Sequence, residues 1–211
     1  MLSLFHILSG CIVLLGIIAI IWRFSSLRIS IPCPAWLSWL VELDNPLLKN
    51  NSACQIIQHL ALESGMKVVD VGCGPGRLTI PVAKQIGPEG EVTAFDIQEG
   101  MLQRVRIKVQ AEHLGNIQCI QGGAGEGKLG RNYYDRALLV TVIGEIPDRK
   151  AALEEIFASL KPGGILSVTE VIADPHFQRR DSVIHLAESA GFVAREFFGN
   201  RISFTINFEK P

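Results

Sequence analysis

The chain has 211 residues, with 20 Lys and Arg against 21 Asp and Glu and a formal net charge of −1. That length holds one full α/β domain with an appendage but not two large domains. With no basic excess, bulk electrostatics give no reason to expect a nucleic-acid partner. The five cysteines, Cys11, Cys33, Cys54, Cys73 and Cys119, are odd in number and form no C-x-x-C pair or Cys/His ligand spacing. Neither a disulfide framework nor a metal site is expected from them.

The first predicted element is an apolar helix. From Leu2 to Trp22 there is no Asp, Glu, Lys or Arg, and from Cys11 to Trp22 there is no polar side chain. At about 1.5 Å rise per residue, roughly 22 such residues reach the roughly 30 Å of a bilayer core. Residues 1–27 are read as a single uncleaved transmembrane helix that meets the membrane through residues 2–24. A cleaved leader would show a basic amino-terminal region, and a buried helix is the other alternative. Arg23 and Arg28 lie on the carboxyl side of the run, so the remainder of the chain is expected on the cytoplasmic side.

Residues 28–50 read as a linker. Pro32 and Pro34 forbid a continuous helix, after which Trp36, Leu37, Leu40 and Leu43 fall at helical spacing with Trp39 alongside. Two readings stand: amphipathic rings at headgroup level beside an anchor, or a short helix packed on the following domain.

Residues 51–211 alternate helices and strands. A helix over about 51–63 leads into KVVDVG, and a helix over 78–86 precedes EVTAFDI. A helix over 99–113 follows, then IQCIQ and ALLVTVI. The helical DRKAALEEIFASL separates these from GILSVTEVI, and a helix over 181–190 comes before FVAREFF and RISFTINF. Apolar strands alternating with helices specify an α/β, Rossmann-like, doubly wound and mostly parallel sheet of seven strands, covered on both faces. Only Gly199 and Asn200 separate the last two strands, so the chain is predicted to end in an antiparallel hairpin.

The loop after the first of these strands, in VVDVGCGPGRLTIPVA, carries Gly72, Gly74 and Gly76. A dinucleotide fingerprint fails because Arg77 holds the sixth position from Gly72, and no Lys-Ser or Lys-Thr follows as a phosphate loop would require. The pattern suits a ligand without a pyrophosphate. Asp96, at the end of the next strand, can accept hydrogen bonds from two vicinal ribose hydroxyls.

DVGCGPG, followed by AFDIQEGML and later LKPGG, resembles the class I S-adenosylmethionine-dependent methyltransferases over residues 51–211. The resemblance implies S-adenosyl-L-methionine as cofactor. It implies that Asp70 orders the loop, that Gly72, Cys73, Gly74 and Gly76 surround the methionyl part, and that Asp96 takes the ribose. Ile97 then packs on adenine, and Gly123, Ala124 and Thr141 complete the cofactor site. The family often has Gly-Asp-Ala after the third strand, where this chain reads Gly122-Gly123-Ala124-Gly125-Glu126. Gly123 cannot make the adenine contact of that Asp, so either Glu126 reaches in or the backbone beside Ala124 serves alone.

Methyl transfer needs alignment, exclusion of water and sometimes removal of a proton. Candidates sit in the loops after the fourth and fifth strands: Glu145 and Asp148 in VTVIGEIPD, and Glu170, Asp174 and His176 in TEVIADPHFQRR. His176, Glu145 and Glu170 are the catalytic candidates, His176 because its ordinary pKa lies near neutrality. Structural roles compete: Glu145 and Glu170 as ties between loops, Asp148 as a helix cap, Asp174-Pro175 as a turn. The expected function is methyl transfer to a small, lipophilic or membrane-associated acceptor, roofed by residues 29–48 and 174–181. A protein acceptor and a non-catalytic S-adenosylmethionine-binding role are the alternatives.

Overall fold

The computed structural model describes residues 52–211 together with His6, Ser9, Gly10, Val13, Leu14 and Ile17. Those six positions are helical and exposed. The rest of the expected membrane helix and the whole tryptophan segment lie outside the described residues. Among the described residues no helix is long and apolar enough to cross a membrane.

Helix α1 (Ala53–His59) precedes strand β1 (Lys67–Val71), followed by α2 (Thr79–Ile86), β2 (Glu91–Asp96), α3 (Glu99–Ala111) and β3 (Ile117–Gln121). The second half runs β4 (Tyr134–Val140), α4 (Arg149–Ser159), β5 (Leu160–Val171), α5 (Arg180–Ser189), β6 (Val193–Gly199) and β7 (Ser203–Glu209). The strands form one sheet in the order β3-β2-β1-β4-β5-β7-β6. Strands β1 to β5 pair in parallel, and β7 runs antiparallel to both β5 and β6. This is the predicted seven-stranded sheet with its terminal hairpin. The order reverses between β1 and β4, so the carboxyl ends of these neighbours frame the crevice where open α/β sheets bind ligands.

Alternate side chains of each strand serve opposite faces. Val68, Val92 and Leu138 pack with Ile56 of α1, Leu60 at its carboxyl end, and Val82 and Ile86 of α2. Val69, Leu139, Leu166 and Val168 pack on the other face with Leu153 and Ile156 of α4 and Val183 and Ala187 of α5. Two buried faces explain why the strands read as continuous apolar runs rather than alternating ones.

Several boundaries differ from the sequence expectation, three of them for a clear local reason. Helix α1 stops at His59 because Ala61 adopts a positive φ of 46°. The freed Leu60 carbonyl accepts from Arg136 Nε at 2.8 Å. Strand β4 ends at Val140 rather than Ile143, because Thr141 has φ 55° and turns the chain out of the sheet. Strand β5 begins at Leu160, so the LKPGG turn is part of the ladder: Gly163 N donates to Lys210 O at 2.7 Å and Lys210 N to Gly164 O at 2.9 Å.

Candidate active site

The glycine loop is fixed from β2. Gly72 N and Cys73 N both donate to Phe95 O, at 2.7 and 3.1 Å, and Gly74 N donates to Asp96 Oδ2 at 2.9 Å. Gly72 has φ 71°, and a Cβ built there would lie 2.5 Å from Val142 Cγ2. Only glycine lets this loop approach the loop after β4 so closely. Asp70, 3% exposed, ties the end of β1 to the first turn of α2 by accepting from Thr79 Oγ1 at 2.7 Å. Burial pushes its pKa up to about 6, an effect that the Thr79 bond opposes.

Asp96 is buried, and each of its oxygens already accepts one backbone bond, Oδ2 from Gly74 N and Oδ1 from Gln98 N at 2.8 Å. A carboxylate has about four acceptor sites, so capacity for two more donors remains on the side that faces the crevice. Desolvation holds its pKa above the ordinary value.

Gly72, Gly74, Asp96, Ile97, Gly123, Ala124 and Thr141 all line one cavity of about 230 Å³ at the switch point. A single water needs only about 10–15 Å³ of such space, so the cavity has room for a ligand rather than a single solvent molecule. Asp70, Cys73 and Gly76 stand outside the lining and shape the loop from behind. Cys73 is 6% exposed, packs with Ala94, Leu102 and Val105, and has a pKa pushed well up by burial. A protonated, enclosed thiol is a filler here rather than a nucleophile.

Among the described residues the lining contains three carboxylates, Asp96, Glu145 and Asp174, and no Lys or Arg. Such a wall disfavours a pyrophosphate and favours a ligand bearing positive charge. At the far end, a Cβ built on Gly123 would lie 2.9 Å from Glu126 Oε1. The Glu126 carboxylate therefore stands directly beside the place a side chain at 123 would occupy, held by Lys128 Nζ at 2.9 Å.

The loops after β4 and β5 close the other end. Thr141 N donates to Thr169 O at 2.8 Å and its hydroxyl to Val140 O at 2.7 Å, which holds this β-branched residue at positive φ, a strained conformation. Gly144 packs so tightly on the β5 loop that an added Cβ would overlap the His176 carbonyl oxygen. Arg149 joins the two loops, donating to Gly144 O at 3.1 Å and to Gln178 Oε1 at 3.0 Å. Gln178 in turn donates from Nε2 to His176 O and from its backbone N to Glu170 Oε2, both at 2.7 Å.

Within this frame the catalytic candidates separate. Glu145 and Asp174 line the cavity. His176 is 4% exposed and sits behind them, its Nδ1 3.6 Å from Glu145 Oε1 and 3.8 Å from Asp174 Oδ1. Glu170 is fully enclosed, accepts a hydrogen bond from Gln178 N, and does not line the cavity. Burial pushes its pKa up to about 8, beyond what the Gln178 bond and Arg149 restore. Asp148 caps α4, its side chain accepting from Ala151 N at 3.0 Å. Sequence reasoning missed Arg149 and Gln178, which look like ordinary surface residues until the two loops are brought together. It also missed Val142, Ile146 and Pro147 as apolar lining, because the first of these was read as strand.

A family model described as a methyltransferase domain matches residues 62–193. The chain belongs to the S-adenosylmethionine-dependent methyltransferase family. It is 37% identical over 113 residues to a demethylmenaquinone methyltransferase of Listeria welshimeri, a match covering 54% of this chain and 48% of that one. The chain spans about half the length of the curated relatives it matches. A crystal structure of a SAM-dependent methyltransferase from Aquifex aeolicus superposes with TM-score 0.77 at 21% identity, covering 85% of this chain and all of that one. A Haemonchus contortus phosphoethanolamine N-methyltransferase in complex with phosphomonomethylethanolamine and S-adenosylhomocysteine superposes at 0.61 and 20% identity, covering 70% of this chain and 38% of that one.

S-adenosyl-L-methionine is the family's cofactor, and the residues present fit it. The Gly72 cradle that a Cβ would fill, the acceptor capacity left on Asp96, and a lining that among the described residues has carboxylates but no cation suit a sulfonium nucleoside.

Proposed function

We propose that this methyltransferase acts on a small, lipophilic acceptor admitted between the loops after β4 and β5. Bound S-adenosyl-L-methionine supplies an activated methyl group. Gly72 and Gly74 hold its methionyl part, Asp96 receives the ribose hydroxyls, and Ile97 flanks the adenine, with the Glu126 carboxylate at the adenine edge. Val142, Ile146 and Pro147 give the acceptor end an apolar wall, from which Glu145 and Asp174 present the carboxylates that the described residues place near the reacting end. One of these takes the proton that the acceptor loses, and His176, within 4 Å of both, orients them.

The single observation that carries the reading is this pairing of an apolar mouth with two carboxylates. The relatives named for demethylmenaquinone support a lipophilic acceptor. The uncharged run over residues 2–22 supports placing the enzyme at a membrane as a single-pass protein, and Arg23 and Arg28 support a cytoplasmic methyltransferase domain. The test is transfer of tritiated methyl by the purified full chain to separate lipid, soluble-metabolite and protein fractions. Label is expected in the lipid extract. Label confined to protein would replace this reading with protein methylation.

A further inference from the structure

One corner of the domain, outside the cavity, exposes large apolar side chains in a group. The loop leaving β5 and the turn between β6 and β7 are joined there by a hydrogen bond from Ile172 N to Ile202 O at 2.7 Å. Ile172 is 41% exposed and Ile202 47% exposed, and Phe197 on edge strand β6 is 43% exposed. Single exposed apolar residues need no explanation, but a contiguous set does. The segment leaving β5 reaches Phe197 as well, since the guanidinium of Arg180, the first residue of α5, lies 5.4 Å from the Phe197 ring centre.

The charges at this corner are one-sided. Among the described residues Arg179, Arg180 and Arg201 are all exposed there, against one exposed carboxylate, Asp181, which accepts from Arg180 Nε at 3.1 Å. Glu196 belongs to the other side of β6, where it accepts from Asn207 Nδ2 at 3.0 Å. Apolar side chains interleaved with arginines are the composition that seats a protein in the headgroup layer of an anionic bilayer. The corner is also continuous with the site: the loop that starts at Ile172 and ends at Arg179 carries Asp174 into the cavity lining.

We propose that this corner docks on an anionic lipid surface, with Ile172, Phe197 and Ile202 at the acyl boundary and the three arginines on lipid phosphates. Docking there turns the β5 loop toward the bilayer. Its use for passing acceptor to the site rests on the lipophilic-acceptor reading, whereas the docking itself does not.

The test is hydrogen exchange on the full chain with phosphatidylglycerol or phosphatidylcholine vesicles, comparing the wild type with the double variant Arg201→Glu, Ile202→Glu. Segments 172–182 and 199–203 are expected to exchange more slowly with phosphatidylglycerol than with phosphatidylcholine, while α3 is unchanged. The double variant is expected to lose this protection, and its affinity for phosphatidylglycerol to fall at least fivefold, the yield of one surface arginine. Its turnover of acceptor dispersed in detergent is expected to match the wild type. Vesicle-bound wild type without protection at the corner, or a double variant protected like the wild type, overturns the proposal. So does loss of detergent turnover in the double variant, which would make the corner part of the acceptor site. Failure of the wild type to methylate any lipid-soluble acceptor in detergent would remove the functional reading and leave the exchange result interpretable.

Discussion

Asp96 divides its carboxylate between Gly74 N and Gln98 N and keeps acceptor capacity toward the cavity. Bonds to a charged acceptor contribute about 1.5–3 kcal/mol, so Asp96→Asn is expected to weaken S-adenosylhomocysteine binding by about 10- to 100-fold in calorimetry. Glu126→Ala is expected to cost about fivefold in the same titration, the yield of one ordinary hydrogen bond. An unchanged affinity would assign adenine recognition to the backbone beside Ala124. Glu170 yields a pH dependence. Its folded pKa of about 8 lies above the ordinary 4.5, so the folded chain holds a proton that the unfolded chain releases in that window. Its contribution to stability is therefore full below about pH 4.5 and is lost as pH rises through 8. Glu170→Gln should match the wild type in thermal melts near pH 4 and melt higher at pH 9, by on the order of 5 °C. An equal melting point at pH 9 would show that Glu170 is not held protonated.

At the scale of elements, the loops after β4 and β5 act as one unit, because Arg149 and Gln178 fasten Gly144, His176 and Glu170 together. Arg149→Ala is expected to raise KM for the acceptor about tenfold, the yield of a hydrogen bond to a charged group, while leaving S-adenosylhomocysteine affinity unchanged. Steady-state kinetics beside calorimetry would separate the two, and equal losses in both would contradict the division of the site. The helices, strands and terminal hairpin of residues 51–211 were legible because periodicity, turn residues and the apolar character of two-faced strands all agree. The glycine loop and Asp96 were legible because chemistry and spacing coincide within one βαβ unit. The end of β4 was not, because VTVI continues a good strand pattern and only tertiary packing holds Thr141 at φ 55°. The adenine contact was legible only as two options, Glu126 or the backbone beside Ala124; a turn in which Glu126 N donates to Gly123 O at 3.2 Å sets Glu126 beside position 123 but outside the cavity lining. The Arg149 network was invisible, because it joins loops 29 residues apart through side chains that carry no motif.

For the whole molecule, the switch point between β1 and β4 gathers both halves of the reaction. One end of the cavity is glycine and Asp96, suited to a nucleoside, and the other is apolar with Glu145 and Asp174, the end proposed above for a lipophilic acceptor. The relatives' name makes demethylmenaquinone the first acceptor to offer, both as the quinone and in reduced form. The most direct measurement is single-turnover transfer of tritiated methyl to that acceptor in detergent, by full chain shown by calorimetry to bind S-adenosyl-L-methionine. Label in the extracted quinone fraction, reduced at least tenfold in Asp96→Asn at subsaturating cofactor, is the expected result. Cofactor-loaded chain that transfers no label to this or any lipid-soluble acceptor would contradict it.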